Sequence, residues 1–266
     1  MKKTLLILII IFLIFLLIFP IIKPKTNKNN NYWEDIKTRI PYYKEDNLER
    51  YKVYKEKNKN LKIEEIITQV NIGLDKPFYE EAKKIKVAQT KYVLVNKYNY
   101  LDKEYTPDNL VNLGRIRLVK CAADAFTELV NAAKEEDYYI RGVSGYRSYN
   151  YQDSLYNKYV TSDGKENADR YSARAGYSEH QTGLAVDIDN NLLPYTSFEQ
   201  TKTYTWMINN CYKYGFILRY PKDKEEITGY NYESWHYRYV GKDIAKYIHT
   251  HNITFDEYYI KFIDKN

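Results

Sequence analysis

Cysteine and histidine are scarce in this chain, and each scarcity narrows the chemistry. Only two of 266 residues are cysteine, Cys121 and Cys211, and no CxxC pair occurs. That excludes a thiolate metal knuckle, and no disulfide can be deduced from the spacing. Both cysteines fall in amphipathic helical patterns and are expected as small buried apolar side chains. Histidine occurs four times, at 180, 236, 249 and 251. No internal repeat is present, and no Lys/Arg cluster interleaves with aromatic residues as in a nucleic-acid groove. The net charge of +6 is spread over a Lys-, Asn- and Tyr-rich chain and reads as a solvated surface, so no nucleic-acid partner is expected.

Residues 5–22 are uncharged, almost entirely Leu, Ile and Phe, and contain no Ala, Gly, Ser or Cys. As a helix they span roughly 27 Å at about 1.5 Å per residue, close to the ~30 Å hydrocarbon core of a bilayer. A cleaved signal has a shorter apolar stretch and small residues at its cut site, so residues 1–22 are expected to be an uncleaved signal anchor, a single transmembrane helix. Lysines flank both ends of the span, at 2 and 3 and at 23, 25 and 28, so they set no orientation. The polar residues 23–31 read as a flexible stalk. Residues 32–109 are charged and aromatic without a long apolar run and are expected as an extension packed on the domain that follows. Within it, Glu64–Val70 reads as a short helix or strand, and Val93–Lys97 as a strand.

From residue 110 the patterns strengthen. Apolar residues at 116, 119, 123, 126, 130 and 133 predict a core-facing helix over Asn112–Lys134. Strands are expected at Tyr138–Val143, Leu184–Ile188, Phe216–Leu218 and Trp235–Val240. Helices are expected at Arg147–Val160, at Phe198–Tyr214 with Gly215 as the stop, and at Lys242–His249. Thr254 and Glu257 match a capping box. Helices mixed with short strands indicate an α+β domain over 110–266, a small antiparallel sheet flanked by helices.

Two short stretches carry the chemistry: Ser178-Glu-His-Gln-Thr-Gly-Leu-Ala-Val-Asp187 and Glu233-Ser-Trp-His236. His180 has an aspartate seven residues on, and His236 has a glutamate three residues before it. His180, Asp187 and His236 supply three ligands of types that Zn²⁺ accepts, and a catalytic zinc needs three protein ligands with an open fourth position. Strand alternation turns His236 and Arg238 one way, Trp235 and Tyr237 the other. Glu233, just outside that strand, can approach a metal as a base. A non-haem iron triad also uses two histidines and a carboxylate, but it begins His-x-Asp, whereas six residues intervene here. His249 and His251, at the end of the last helix, read as surface residues or dipole partners.

These stretches resemble the signature of the VanY-type D-alanyl-D-alanine carboxypeptidases, a family of M15 zinc peptidases. The likeness extends to Ser144-Gly-Tyr-Arg-Ser148 with Gln152, to Tyr214–Pro221, to Ile227-Thr-Gly229 and to His236–Gly241, and covers roughly residues 110–260. The resemblance implies Zn²⁺ as cofactor, with His180, Asp187 and His236 as ligands at the sheet and Glu233 as the catalytic base for the zinc-bound water. It implies that Arg147 binds a substrate carboxylate or the oxyanion, with Ser178 and Gln152 as hydrogen-bond partners of the peptide. The implied reaction is hydrolysis of the terminal D-Ala-D-Ala bond of peptidoglycan stem peptides. L,D-carboxypeptidase or endopeptidase cleavage by the same chemistry are alternatives, as is a non-catalytic wall-binding or sensor protein. Stem peptides would be the partner, with the membrane engaged by the N-terminal helix and the catalytic domain on the cell-wall side. Nothing in the resemblance sets an oligomeric state.

Overall fold

A computed structural model describes residues 28–86 and 89–264, with side chains from 32 onward. The expected anchor at 1–22 and most of the stalk lie outside the described residues. Among those described, no helix is long and apolar enough to cross a membrane. The chain forms two compact units, divided between Glu45 and Asp46. In the first, Lys28–Arg39 is a helix, so the last residues of the expected stalk are helical. Their neighbours Trp33 and Ile36 carry the apolar spacing that extends a helix back through the asparagines.

The second unit contains the whole motif region and residues 46–109 as well. Glu64–Val70 lies in a helix, Ile63–Ile72, ended by Gly73 in the left-handed region. A short parallel pair follows, β1 (Lys83–Lys84) with β2 (Asn99–Tyr100). Val93–Lys97 is not a strand. Apart from one bridge from Asn96 to Asn99, it has no ladder partner among the described residues. Val93, Leu94 and Val95 are nonetheless buried, because they pack as core rather than as sheet.

The expected helix at 112–134 is split. Leu110–Leu113 (β3) and Ile116–Val119 (β4) form a hairpin, and the helix occupies Lys120–Glu135. Gly114, at φ +61°, turns the hairpin, and the apolar positions 116 and 119 belong to a strand. Short apolar spacings fit either period, which is why the sequence reads as one helix. The helix buries Ala122, Ala123, Phe126, Leu129 and Ala133. Cys121 falls on its outer side and is exposed, against expectation; Cys211 is buried, and both are free thiols.

The central sheet is antiparallel, built from β5 (Arg141–Ser144), β6 (Ala185–Asp189), β7 (Phe216–Leu218) and β8 (His236–Tyr239) in the order β5-β6-β8-β7. Val186, Ile188, Phe216 and Tyr237 enter the main core with the helix Lys120–Glu135. Ile217 turns the other way, into a second core with Leu94, Val240, Ile248 and Phe255. Register sets what the opposite pleat presents: Asp187 pairs with His236 on one side and Ser144 on the other, while Ala185 pairs with Arg238. Ser148 caps the helix Tyr149–Asp163 by accepting from the Tyr151 amide. The expected helix at 198–214 breaks into 3₁₀ turns around Lys202–Asn210, ending at Gly215 with φ +84° as its pattern suggests. The last long helix spans Lys242–His251, and Thr254 and Glu257 form the capping box.

Gly145, just after β5, lies against the Arg117 carbonyl; a β-carbon there would come closer to that oxygen than any carbon can sit. Gly145→Ala must therefore push β5 off the hairpin. A loss of roughly 1–3 kcal/mol of stability is expected, and an unchanged denaturant midpoint would contradict this packing.

Candidate metal centre

The β6–β8 register brings Asp187 beside His236. His180 arrives on the 3₁₀ turn Glu179–Thr182, closed by Gly183 in the left-handed region. Its Nδ1 lies 2.7 Å from the Gly145 carbonyl oxygen and donates to it, which leaves Nε2 as the lone-pair nitrogen. His180 Nε2 is 3.2 Å from Asp187 Oδ2, and His236 Nδ1 is 3.2 Å from Asp187 Oδ1. One donor atom from each of the three residues lies within 4.8 Å of the others. Two ligands held tetrahedrally at about 2.0–2.1 Å from zinc stand about 3.3 Å apart, so the two histidine–aspartate spacings of 3.2 Å match that ion, while the set as a whole is wider than a closed shell. Asp187 Oδ1 is buried without a hydrogen-bond donor, as a ligand oxygen should be.

Glu233 is held by its backbone, whose amide donates to the Tyr220 carbonyl. Its Oε2 lies 3.5 Å from His236 Nδ1, beside the ligands without joining them. Burial pushes the Glu233 carboxyl up to about 8, with Asp187 adding to the rise. Burial and the Arg147 guanidinium lower His180 to about 4. For His236, burial works to lower the pKa, but the Asp187 and Glu179 carboxylates outweigh it and the ring is raised to about 9. Burial opposes ionisation of Asp187 too, yet His180 and Arg147 hold it well below the usual carboxylate range. The four groups thus span acid and base character within one buried cluster.

The cluster opens into a cleft of about 570 Å³, walled by Tyr151, Tyr159, Tyr171, Tyr195 and Trp235. Trp235 stands edge-on to Tyr195, with ring centroids 5.2 Å apart. Arg147 points into this cleft. Its Nε donates to Ser144 Oγ at 2.9 Å and its Nη1 to Gln152 Oε1 at 3.0 Å. Its Nη2 lies 2.6 Å from Asp187 Oδ2 and 2.7 Å from His180 Nε2, the atoms that a cation would take. Gln152 is buried and spends its amide on Arg147 and on the Ala173 carbonyl, so it holds the arginine in place. Ser178 is buried and lines the cleft. His249 stacks on Tyr212 and His251 on Tyr247, both away from the cluster.

The residues unmarked by sequence reasoning are Glu179, Arg219 and Arg238. All three are fully buried, and the two guanidinium groups converge on Glu179 Oε1 at 2.8 and 2.9 Å. Each lies inside a stretch that carries the resemblance, but its residue type there does not separate it from a surface charge.

A family model described as VanY, D-alanyl-D-alanine carboxypeptidase, matches residues 115–242. YodJ of Bacillus subtilis, provisionally named a carboxypeptidase, is 40% identical over 208 residues, covering 71% of this chain and 76% of YodJ. The solved structure of the LD-carboxypeptidase LdcB is similar at a TM-score of 0.63 and 41% identity, covering 68% of this chain and 91% of LdcB. A variant of the vancomycin-resistance D,D-pentapeptidase VanY, solved with Zn(II), is similar at a TM-score of 0.58 and 34% identity, covering 63% of this chain and 98% of VanY.

A cation bound through His236 Nδ1 must displace a proton from a ring kept cationic up to about pH 9. Apparent zinc affinity should therefore rise as pH increases toward that value. Competition against a chelator of known affinity at several pH values measures this, and a flat profile would remove the proton linkage.

Proposed function

The chain belongs to the VanY family of D-alanyl-D-alanine carboxypeptidases, and on that premise we propose that it is a zinc-dependent enzyme releasing the C-terminal D-alanine of peptidoglycan stem peptides. The observation that carries this reading is the convergence of His180, Asp187 and His236, with Glu233 Oε2 3.5 Å from His236 Nδ1, at the floor of one cleft. His180 through Nε2, Asp187 through its carboxylate and His236 through Nδ1 would hold the ion. Bound zinc supplies Lewis-acid polarisation and brings the pKa of water to about 7.

The rest falls to the chain's own groups. Glu233, raised to about 8 by burial, is suited to take a proton from the attacking water and return it to the leaving D-alanine amine. Arg147 is tethered through Ser144 and Gln152, and its Nη2, which lies on Asp187 Oδ2 and His180 Nε2, would be released by a cation on those atoms to bind the substrate's terminal carboxylate or the developing oxyanion. Ser178, on the cleft wall, can hydrogen-bond the peptide. The carboxyl-binding arginine favours an exopeptidase over cleavage of internal bonds, and retention of Glu233 favours an enzyme over a wall-binding protein without catalysis.

Two substrates fit this chemistry. D,D-cleavage of a pentapeptide is supported by the family description. L,D-cleavage of a tetrapeptide is supported by the higher identity and TM-score of the LD-carboxypeptidase relative. Placement on the outer face of the membrane, through residues 1–22 and 23–31, would set the domain beside either substrate.

Mass spectrometry of defined tetra- and pentapeptides decides the substrate, and loss of a single alanine from one of them is expected. A chelator should abolish release, and Glu233→Ala should lower kcat by roughly 10²–10⁴-fold. Equal release with and without that carboxylate would defeat the mechanism. Arg147→Ala should raise KM for peptides with a free C-terminus, and unimpaired cleavage of internal bonds would point instead to an endopeptidase.

A further inference from the structure

His236 has two ring nitrogens in different surroundings. Nδ1 faces Asp187 and Glu233. Nε2 faces the other way, toward Glu179 Oε2 at 3.7 Å, and both of these atoms are buried without a hydrogen-bond partner. An orphaned buried donor or acceptor costs about 1–3 kcal/mol, so two of them facing each other have a shared remedy less than an ångström away.

Glu179 is placed for that partnership through one oxygen while the other is already engaged. Its Oε1 accepts from Arg219 Nε and Arg238 Nη1, leaving Oε2 for His236. Burial opposes its ionisation, but the two arginines hold its pKa below the usual carboxylate range. The arginines are themselves tied down. Arg219 Nη1 donates to Asp256 Oδ2 at 2.6 Å, and Arg238 Nη2 donates to the carbonyls of Val93 at 2.7 Å and Lys91 at 3.2 Å. Asp256 Oδ1 accepts from Asn96 Nδ2 at 2.8 Å. Lys91, Val93, Asn96 and Asp256 all lie outside residues 115–242, which match the family.

We propose that Glu179 is the positioning carboxylate of the metal centre. By accepting the Nε2–H of His236 it selects the tautomer that presents Nδ1 to the ion and makes that nitrogen a stronger ligand. The segment 91–96 and the start of the C-terminal helix at Phe255 serve the site through this buried network, without reaching the cleft. This inference rests on the zinc reading above.

Zinc affinity, measured by competition with a chromophoric chelator, tests it on the full chain and on Glu179→Gln, with the visible spectrum of the cobalt-substituted proteins alongside. Outer-sphere partners of metal-bound histidine are worth roughly 10–100-fold in affinity. A folded Glu179→Gln protein should show that loss and shifted cobalt bands, which a loss of fold stability alone would not produce. A folded variant with wild-type affinity and spectrum overturns the proposal. Should the variant fail to fold, a crystal structure of the zinc-loaded wild-type protein decides. Closure of Nε2 and Oε2 to within about 3.2 Å supports it, while a gap above about 3.5 Å, or zinc on Nε2, overturns it. A wild-type protein that binds no zinc overturns the metal reading itself, and this proposal with it.

Discussion

The pairing of β6 with β8 is the constraint from which the site follows. Asp187 and His236 are 49 residues apart in the chain and meet because Ala185, Val186 and Asp187 lie opposite Arg238, Tyr237 and His236. Side chains alternate across a strand, so a slip of one residue in either strand would send its member of the Asp187–His236 pair to the opposite face. The register is held by the core residues between them: Val186, Ile188 and Tyr237 are fully buried on the pleat opposite the ligands. The apolar core and the polar centre are two faces of one pairing, and neither can shift without the other.

On the polar face, charge is buried in an ordered way. Isolated buried ions are costly, and such ions persist when they are paired and hydrogen-bonded. Glu179 and Asp256 are matched by Arg219 and Arg238 in a closed set. Asp187 is matched by Arg147 and the two histidines. Glu233 shares His236 with Asp187 and, among the described residues, has no guanidinium in salt-bridge contact, and burial raises its pKa to about 8.

The region before residue 110 enters this arrangement through backbone more than through side chains. The carbonyls of Lys91 and Val93 accept from Arg238, and those of Asp102 and Tyr105 accept from Gln181 Nε2 in the turn that carries His180. A segment that, among the described residues, contributes nothing to the cleft thus braces the loops that do. Because it acts mostly through carbonyl oxygens, with Asn96 Nδ2 on Asp256 as a side-chain contact, its residue types carry no recognisable motif.

Much of the site was legible before any coordinates. The residue types and spacings of His180, Asp187, Glu233 and His236 state a chemistry that few other uses would require, and the stop at Gly215 and the capping box at Thr254 are local signals read over a few residues. Other features were not legible, because their cause is not local. The apolar spacing at 116 and 119 suits helix or strand equally, and only pairing across Gly114 decided for the hairpin. Val93–Lys97 reads as a strand, yet among the described residues no partner strand lies beside it. Glu179 differs from an exposed glutamate only by what surrounds it: two guanidinium groups from β8 and the end of β7, and an imidazole nitrogen turned away from the ligands. Sequence alone determined which groups could bind a metal and move a proton. Tertiary structure decided which nitrogen of His236 faces Asp187 and Glu233 and which faces Glu179, because those depend on burial and on contacts between residues far apart in the chain.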